Sequence, residues 1–412
     1  MSAFRPFTVV GVGGDGRAGL SPRALEAIDG ACALAGGERH LAAFPEFGGE
    51  RIPLGKGIDG ALARLAVAAD AGRCCLLASG DPLFFGVGAR AIAALGAERV
   101  EVLPQPSSIQ WAFSRLGLAW EDAALLSRHG RPRDGFLARL RRRAKVACFT
   151  DATHSPAALA RHMVEHAERD WTAFVCERLG EPGERVRSFR PEALASCDDV
   201  DPLNVLVLVR DPGWRPPPVI PSLPDEAFAT RNGLLTKREV RVAALAALRL
   251  AEDAVLWDVG AGSGSVSIEA ALLAPEGRVF AIERDAGMLA HLRANVRTHR
   301  ADNVRIVEGE APAVLVALDP PDAIFVGGSG GSLAAILARG LDALRPGGRL
   351  VVNSVLMDTL EEARRFFAAR ALVPEVTVLS VLRGAPIATS LRLLALDPVH
   401  VLAVTKPGGG DR

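Results

Sequence analysis

Lysine is scarce in this sequence, and neither sign of charge is in excess. Only four of the 48 basic residues are lysines, and 48 acidic residues balance them, so the formal net charge is zero. The balance holds in each half of the chain: residues 1–215 contain 27 basic and 26 acidic residues, and residues 216–412 contain 21 and 22. Nucleic-acid-binding proteins usually carry a basic domain. The sequence therefore argues against a nucleic-acid partner.

Long apolar runs and paired cysteine motifs are also missing. No stretch of 18 consecutive apolar residues is present, and the amino terminus lacks the layout of a signal peptide. All six cysteines lie in the first half, and none forms a C-x-x-C pair. Buried, reduced thiols are the expected state of such cysteines. We therefore expect a cytoplasmic protein without a membrane partner.

The length of the chain predicts two domains. At 412 residues it exceeds the size that one hydrophobic core usually supports. A proline-rich segment at residues 211–224 is typical of a semi-rigid linker. We predict a first domain over residues 1–212, a linker over 213–227 and a second domain over 228–412, both of the α/β class.

A glycine motif in the second half gives the clearest indication of a ligand. A short apolar strand at 255–259 leads into Gly260, Gly262 and Gly264, and a second strand ends in Glu283. The glycines allow the backbone to approach a ligand, and the helix that follows offers it free N–H groups. A carboxylate at the position of Glu283 can accept both hydroxyls of a ribose. The spacing G-x-G-x-G differs from the dinucleotide motif, so the pattern alone leaves open a nucleotide-like ligand or a structural turn.

With Asp258 ahead of it, this motif resembles motif I of the class I S-adenosylmethionine (SAM) methyltransferases. Residues 228–405 further resemble the precorrin methyltransferases of that class that act on carbon 15. The resemblance implies SAM contacts at Thr236, Gly260, Ala261, Gly262, Ser263, Gly264, Glu283 and Ala311.

Three other features of the second half lead to further predictions. Thr236 and Glu239 have the spacing of a capping box, which would make Thr236 simply the cap of a helix that runs to about Leu250. The glycine cluster at 327–331 leaves room for a bulky planar substrate. A final hairpin near residues 374–384 and 391–404 is expected to complete a seven-stranded sheet.

The first half places three loops after predicted strands. A glycine-rich loop at 11–16 follows a strand at 7–12, and Asp81 follows a strand at 73–78. The carboxyl ends of buried strands are where open α/β sheets bind ligands, although Asp81 alone could equally be a turn residue. Ser107 and Ser108 open a helix that runs to about Leu116. Their spacing does not decide between capping that helix and touching a ligand.

Together these loops resemble the tetrapyrrole (class III) methyltransferase family, whose fold is distinct from class I and which also binds SAM. The segments that carry the resemblance are GVGGDG at 11–16, SGDPLFFG at 79–86, PQPSS at 104–108, SRHGR at 127–131, ERLGEPGERV at 177–186 and NVLVLV at 204–209. The resemblance covers about residues 5–210 and implies SAM contacts at Gly11, Gly13, Asp81, Phe84, Ser107 and Ser108. Two residues depart from the family pattern: Gly14 replaces a usual proline, and Arg128 replaces a usual leucine.

Basic side chains and two histidines form the last candidate sites. Arg128, His129 and Arg131 can clamp substrate carboxylates, since bidentate Arg–carboxylate pairs are strong and directional, but a solvated basic face explains them as well. His162 and His166 are four residues apart on a predicted helix, which suits a metal pair. Without a third ligand nearby, we expect no metal site.

The combination of the two halves resembles the decarboxylating precorrin-6Y methyltransferases of cobalamin biosynthesis. The resemblance implies a class III fold followed by a class I Rossmann-like fold, one SAM site in each domain, a precorrin-6Y-type tetrapyrrole substrate and a homo-oligomer. It further implies methylation at carbon 5 by the first domain, and methylation at carbon 15 with loss of CO₂ by the second. The sequence identifies no catalytic base. Two alternatives stay open: an RNA or protein methyltransferase, and a protein in which one domain is only a scaffold.

Overall fold

A five-stranded parallel sheet forms the beginning of the chain in this computed structural model, which describes residues 6–55, 57–128, 134–217 and 222–408. Its strands are β1 (Phe7–Val12), β2 (Ala33–Gly36), β3 (Glu50–Pro53), β4 (Cys74–Ser79) and β5 (Val100–Leu103), and its helices are α1 (Pro22–Asp29), α2 (Glu38–Ala42), α3 (Ile58–Ala68), α4 (Gly88–Leu95) and α5 (Ser108–Leu116). The strand order is β3-β2-β4-β1-β5. Because β4, β1 and β5 are parallel neighbours, the three loops that follow them meet at one edge of the sheet.

A second five-stranded sheet follows and is mixed. It contains β6 (Ala124–Ser127), β7 (Lys145–Phe149), β8 (Trp171–Glu177), β9 (Arg185–Phe189) and β10 (Asn204–Arg210), in the order β6-β7-β10-β8-β9. Only β6 and β7 pair in parallel; the other neighbours are antiparallel. Helices α6 (Phe136–Leu140), α7 (Pro156–Glu165) and α8 (Pro191–Ala195) connect these strands.

The third sheet has seven strands and belongs to the second half of the chain. Its strands are β11 (Val255–Val259), β12 (Arg278–Glu283), β13 (Val304–Glu308), β14 (Ala323–Val326), β15 (Arg349–Ser354), β16 (Glu375–Leu379) and β19 (Val399–Thr405), in the order β13-β12-β11-β14-β15-β19-β16. The first five run parallel, and β19 is antiparallel to both of its neighbours. The chain leaves β11 toward β12 and β13 and then returns to β14 on the other side. That reversal creates a crevice at the carboxyl ends of β11 and β14, where such sheets bind ligands.

Helices cover both faces of this sheet. They are α9 (Arg238–Leu248), α10 (Ser265–Leu273), α11 (Ala286–His299), α12 (Leu333–Ala343) and α13 (Met357–Ala368). Alternate residues of β11 enter opposite cores: Leu256 packs with α9 and α10, whereas Trp257 and Val259 pack with α12 and α13. A strand buried on both faces reads as a continuous apolar run, which is how β11 was recognised in the sequence.

The carboxyl-terminal strands differ from the expected simple hairpin. The seven-stranded sheet is confirmed, with β16 and β19 as its last pair. The residues between them form a separate two-stranded hairpin, β17 (Leu382–Ile387) and β18 (Ser390–Ala395). The pairing of the expected hairpin is confirmed, because residues 375–379 pair with 399–403 and residues 382–387 pair with 390–395. Only the first of these two ladders belongs to the main sheet.

The chain divides into two compact units. The first consists of Met1–Arg131, Ala144–Arg161 and Arg169–Trp214, and the second of Pro132–Arg143, His162–Glu168 and Arg215–Arg412. Among the described residues, no helix has both the length and the apolar character needed to cross a membrane.

Candidate functional sites

The glycine motif of the second unit forms a tight loop between β11 and α10. Gly260, Gly262 and Gly264 have φ angles of +73°, +58° and +84°, a region that side chains other than glycine rarely adopt. Gly264 is the N-cap of α10, whose first residue is Ser265. The loop thus turns the chain at the carboxyl edge of the sheet and directs the amino end of a helix toward the crevice.

Gly260 also marks a close approach between two loops. A Cβ atom at this position would lie 2.5 Å from the carbonyl oxygen and 2.7 Å from the amide nitrogen of Gly328, in the loop after β14. Real Cβ atoms do not come so close to backbone atoms. The contact explains why residue 260 is glycine, and it places the glycine cluster at 327–331 next to the motif at 260–264.

Glu283 is held in place by backbone donors. Its Oε2 accepts a hydrogen bond of 2.8 Å from the Gly262 amide, and its Oε1 accepts bonds of 2.8 Å from the amides of Arg284 and Asp285. The carboxylate therefore stands in a fixed position at the end of β12. Bonds from N–H groups to an ionised acceptor are stronger than neutral ones.

A cavity of about 200 Å³ lies over these residues. Three of the residues predicted from the sequence line it: Gly260, Glu283 and Ala311. Gly328, Ser329 and Gly330, from the glycine cluster expected to leave room for a substrate, also line it. The remaining lining residues, which the motifs did not indicate, are Val259, Ile282, Arg284, Gly309, Glu310 and Ile336. Arg284 forms an ion pair with Glu310 across the cavity wall, and both side chains are more than half exposed.

The other predicted residues of the motif stand behind the cavity. Ala261, Gly262, Ser263 and Gly264 do not line it, and Ser263 is only 2% exposed. The carbonyl of Ser263 accepts a hydrogen bond of 2.9 Å from the side chain of Asn295 on α11. These residues shape the loop, and their contact with a ligand stays a prediction.

Asp258 is an ionisable group buried directly beneath the glycine loop. Its side chain is fully buried, and burial raises the pKa of its carboxyl to about 7. The Ser267 hydroxyl donates a hydrogen bond to it and opposes that shift. Near neutral pH the carboxyl is thus divided between its protonated and ionised forms.

Thr236 does not have the capping role that its spacing indicated. The N-cap of α9 is Lys237, and no side chain of the expected capping box closes the helix. Instead the carboxylate of Asp225 accepts a hydrogen bond of 2.9 Å from the amide of Arg238, and Glu239 pairs with Arg383. The capping-box prediction is wrong because a carboxylate distant in sequence takes the position. The predicted contact of Thr236 with SAM stays a prediction.

The first unit brings its own motif loops together. A Cβ atom on Gly11 would lie 2.0 Å from the carbonyl oxygen of Gly80 and 2.7 Å from the amide nitrogen of Gln105. A Cβ atom on Gly80 would lie 2.9 Å from the Cα of Ser107. The loops after β1, β4 and β5 are therefore in backbone contact, as the parallel order of these strands requires.

Several side chains in these loops make contacts within the protein that explain why they are there. Ser107 caps α5 and Gln110 completes a capping box, so the capping interpretation of Ser107 is confirmed. Ser108 is the first residue of that helix. Asp81 accepts a hydrogen bond of 2.9 Å from the amide of Leu83, and Phe84 packs half-buried against Phe149. A role for these side chains in binding SAM stays a prediction.

The glycine loop at 11–16 also touches the loop after β8. A Cβ atom on Gly14 would lie 2.4 Å from the carbonyl oxygen of Leu179 and 2.9 Å from the carbonyl carbon of Gly180. Gly14, where the family usually has proline, thus allows the two loops to pack closely. Gly13 is partly buried beside Asp15.

Of the three residues of the predicted carboxylate clamp, the structure describes only Arg128. Arg128 is 2% exposed, and its amide donates a hydrogen bond of 2.8 Å to the carbonyl of Phe149. His129 and Arg131 lie outside the described residues. The role of these three residues in binding substrate stays a prediction.

Comparison with known proteins identifies both halves. Residues 6–195 match the family described as Tetrapyrrole (Corrin/Porphyrin) Methylases, and residues 226–406 match the family described as Precorrin methyltransferase domain. Two curated relatives are named Precorrin-6Y C(5,15)-methyltransferase [decarboxylating]. The relative from a Sinorhizobium species is 39% identical over 85% of this chain and 85% of its own length. The relative from Mycobacterium tuberculosis is 33% identical over 85% of this chain and 87% of its own length.

One solved structure among the matches is titled precorrin-6y C5,15-methyltransferase from Geobacter metallireducens. It is 40% identical, it covers 46% of this chain and 100% of the solved one, and its TM-score is 0.44.

Proposed function

Because this chain belongs to the precorrin-6Y C5,15-methyltransferase (decarboxylating) family, we propose that it is a cytoplasmic enzyme that methylates carbons 5 and 15 of a precorrin-6Y-type tetrapyrrole. In the same reaction sequence it releases the ring C acetate carboxyl as CO₂, giving precorrin-8X for cobalamin biosynthesis. We assign carbon 5 to residues 1–212, carbon 15 and the decarboxylation to residues 228–412, and a linker to residues 213–227. The two family matches, over residues 6–195 and 226–406, support this division.

The proposed SAM site of the second unit is the cavity at the carboxyl ends of β11 and β14. SAM, when bound, supplies the methyl group on a positively charged sulfur. In this cavity the fixed carboxylate of Glu283 would accept the ribose hydroxyls, and Ala311 would contact the adenine. Gly260 leaves the space that any side chain would fill against Gly328. The residues present therefore fit the donor.

Arg284 is the residue best placed to hold a carboxylate arm of the substrate in the second unit. It lines the cavity beside Ser329, and its guanidinium pairs with Glu310 at a largely exposed position. Exposed ion pairs contribute about 0–1 kcal/mol, so a substrate carboxylate can replace this partner at little cost. A bidentate Arg–carboxylate contact would then orient the ring.

We assign no catalytic base to the methyl transfers. A meso carbon of a reduced tetrapyrrole is itself an enamine-like nucleophile. The work of the protein is to hold that carbon in line with the methyl group, at about 3–3.5 Å, and to exclude water. In the decarboxylation CO₂ leaves while the conjugated imine of the ring accepts the electron pair, and a proton then replaces the lost carboxyl group so that the arm becomes a methyl group. Positioning of the arm and delivery of this proton are the contributions of the protein.

The first unit has the backbone geometry for a SAM site of its own. The loops that contain Gly11, Gly80 and Gln105 converge at the carboxyl edge of the parallel sheet. Asp81, Phe84 and Ser108 stand in or next to these loops. We place the second SAM molecule at this edge and assign the substrate carboxylates there to Arg128, His129 and Arg131.

We further propose that the enzyme is a homo-oligomer in which the β17–β18 hairpin contacts a second copy. In this antiparallel pair, Leu382, Pro386, Leu391, Leu393 and Ala395 share one face. All five are exposed, Leu391 and Leu393 by about 70% each. Isolated two-stranded hairpins are marginally stable in water, and a continuous exposed apolar face marks an interaction site. A second copy would supply the same face and cover it.

The product of the complete reaction tests the proposed function. Full-length protein is incubated with precorrin-6Y and SAM, and the product is analysed by mass spectrometry. Two methyl groups gained and one CO₂ lost is the expected result. A single methylation, or methylation without decarboxylation, contradicts the full assignment.

Two glycine variants separate the two sites. Gly11→Ala is expected to stop only the methylation at carbon 5, and Gly260→Ala only the methylation and decarboxylation at carbon 15. Gly60→Ala is the matched control for the first, because a Cβ atom there meets nothing within 4 Å. If either variant abolished both methylations in a folded protein, the assignment of one site to each unit would be wrong.

A further inference from the structure

Two histidines and a glutamate lie together at the end of α7, in a part of the chain that the proposed reaction does not use. His162 and Glu165 are on the helix and His166 follows it directly. One nitrogen of each histidine and one carboxylate oxygen of Glu165 all lie within 4.8 Å of one another. The two histidines were expected to lack a third ligand, but Glu165, three residues after His162, stands beside them.

The hydrogen bonds of His162 determine which of its nitrogens is free to bind a metal. Its side chain is only 7% exposed, and its Nε2 lies 3.0 Å from Oδ2 of Asp302, which is 1% exposed. Asp302 also accepts bonds of 2.9 Å and 3.1 Å from the amides of Leu137 and Ala138. Asp302 acts as the acceptor, so Nε2 of His162 carries the proton. Nδ1 then has a lone pair, and it is a buried atom without a hydrogen-bond partner among the described residues.

His166 is held as the opposite tautomer, with its proton on Nδ1. Its Nδ1 lies 3.0 Å from the carbonyl oxygen of His162. Since a carbonyl can only accept, Nδ1 is the donor, and Nε2 keeps a lone pair.

Glu165 completes the set of donors. Its Oε2 lies 3.9 Å from Nδ1 of His162, and its side chain is 62% exposed. A small rotation of this solvent-facing side chain would bring the oxygen to coordination distance. His166 is partly exposed as well, so an ion has a path from solvent to the buried nitrogen of His162.

We propose that His162, Glu165 and His166 form a zinc site, with Asp302 as the outer carboxylate that orients His162. Two imidazole nitrogens and one carboxylate oxygen are a common ligand set for zinc, which keeps a fourth position for water. Ligating histidines usually donate their second N–H to a carboxylate or carbonyl, and here one histidine does each. Magnesium and calcium prefer oxygen donors alone.

The test uses the full-length protein, freed of metal with a chelator and titrated with zinc. One zinc ion per chain is expected, and Co²⁺ should give the absorption bands of a four-coordinate site. His166→Ala and Glu165→Gln should each weaken zinc binding by more than about tenfold, since even outer partners of ligands are worth that much. His291→Ala, in the same unit, removes an imidazole outside the cluster and should bind zinc as the wild type does.

Two results would overturn the proposal. One is a wild-type chain that takes up no zinc in the titration. The other is zinc binding by Glu165→Gln and His166→Ala with wild-type affinity. Because Glu165 is largely exposed, its glutamine variant keeps the test valid if the histidine variant does not fold.

Discussion

At the scale of single residues, Gly11 and Gly260 are required to be glycine for different reasons. Gly260 has both a positive φ angle and a backbone neighbour in the way of a side chain, whereas Gly11 has only the neighbour. The left-handed conformation costs other residues about 1–2 kcal/mol. A clash with backbone atoms costs more, because neither loop can move without disturbing a strand end.

Gly260→Ala should remove SAM binding from the second unit, because its Cβ atom would displace the Gly328 loop from the cavity wall. By calorimetry, the wild type should bind two SAM molecules per chain and the variant one. Gly347→Ala is the matched control: Gly347 has a φ of +79° but nothing within 4 Å of a Cβ atom. Two SAM molecules bound by Gly260→Ala, as by the control, would contradict this prediction.

Asp258→Asn should change the pH dependence of stability. The pKa of Asp258 is about 7 in the folded protein and about 4 in an unfolded chain. Between these values the unfolded state loses a proton that the folded state keeps, so this carboxyl lowers stability as pH rises from 4 to 7. The variant should match the wild type near pH 4 and exceed it at pH 8 by up to about 4 kcal/mol.

Urea unfolding of both proteins at several pH values measures this difference. Asp253→Asn serves as the control, because Asp253 is exposed. A stability difference that stays constant from pH 4.5 to pH 8 would rule out the titration of Asp258 in this range.

At the scale of secondary-structure elements, a buried charge network fixes the start of α9. Arg241 is completely buried and donates hydrogen bonds to Glu269 on α10 at 2.9 Å and to Asp225 at 2.8 Å. Glu269 also accepts a bond of 2.8 Å from the hydroxyl of Ser222. The chain entering the second unit is thereby tied to two helices by ionic hydrogen bonds and not by apolar contacts alone.

Arg241→Leu should destabilise the second unit by about 3–5 kcal/mol, because it leaves Glu269 as a buried charge without its cation. The loss is measured as the shift of the urea unfolding transition. Arg238→Leu, an exposed position on the same helix, should change stability by much less. Comparable losses in the two variants would mean that helix propensity, and not the ionic network, accounts for the effect.

These elements also show what the sequence could and could not predict. Gly260 and Glu283 were found because a strand, its loop and the next strand end are consecutive, so their spacing is visible in the sequence. Gly328 gains its importance only because β14 lies beside β11, which is a property of the sheet order. Thr236 was misjudged as a cap for the same reason: local spacing favoured it, and the distant carboxylate of Asp225 took the position.

At the scale of the whole molecule, the apolar hairpin β17–β18 predicts self-association. Replacing Leu391 and Leu393 together by aspartate should convert the oligomer to monomers, because charges would enter the covered face. Light scattering after size-exclusion chromatography measures the mass. Val373→Asp, at a position 89% exposed outside the hairpin, should leave the mass unchanged. A wild type that is already monomeric would refute the oligomer proposal.

The two-part architecture and the carboxyl-terminal hairpin could be anticipated from the sequence, whereas the separation of β17 and β18 from the main sheet could not. The alternation of residues 382–395 is no clearer than that of the strands around them, and it does not show that β17 and β18 pair apart from the main sheet. The exposed apolar face therefore becomes visible only when the pairing partners are known.

Because backbone amides fix the carboxylate of Glu283, the second unit should discriminate between donor analogues that differ in the ribose. Three amides already fix both carboxylate oxygens, so the group is rigid before any nucleoside arrives. A 2′-deoxy or 3′-deoxy analogue would leave one of these oxygens facing the cavity without a hydroxyl, and the carboxylate cannot turn to compensate. Under the proposed function, the preformed carboxylate of Glu283 recognises the ribose of the donor. This recognition does not depend on the group attached to the sulfur.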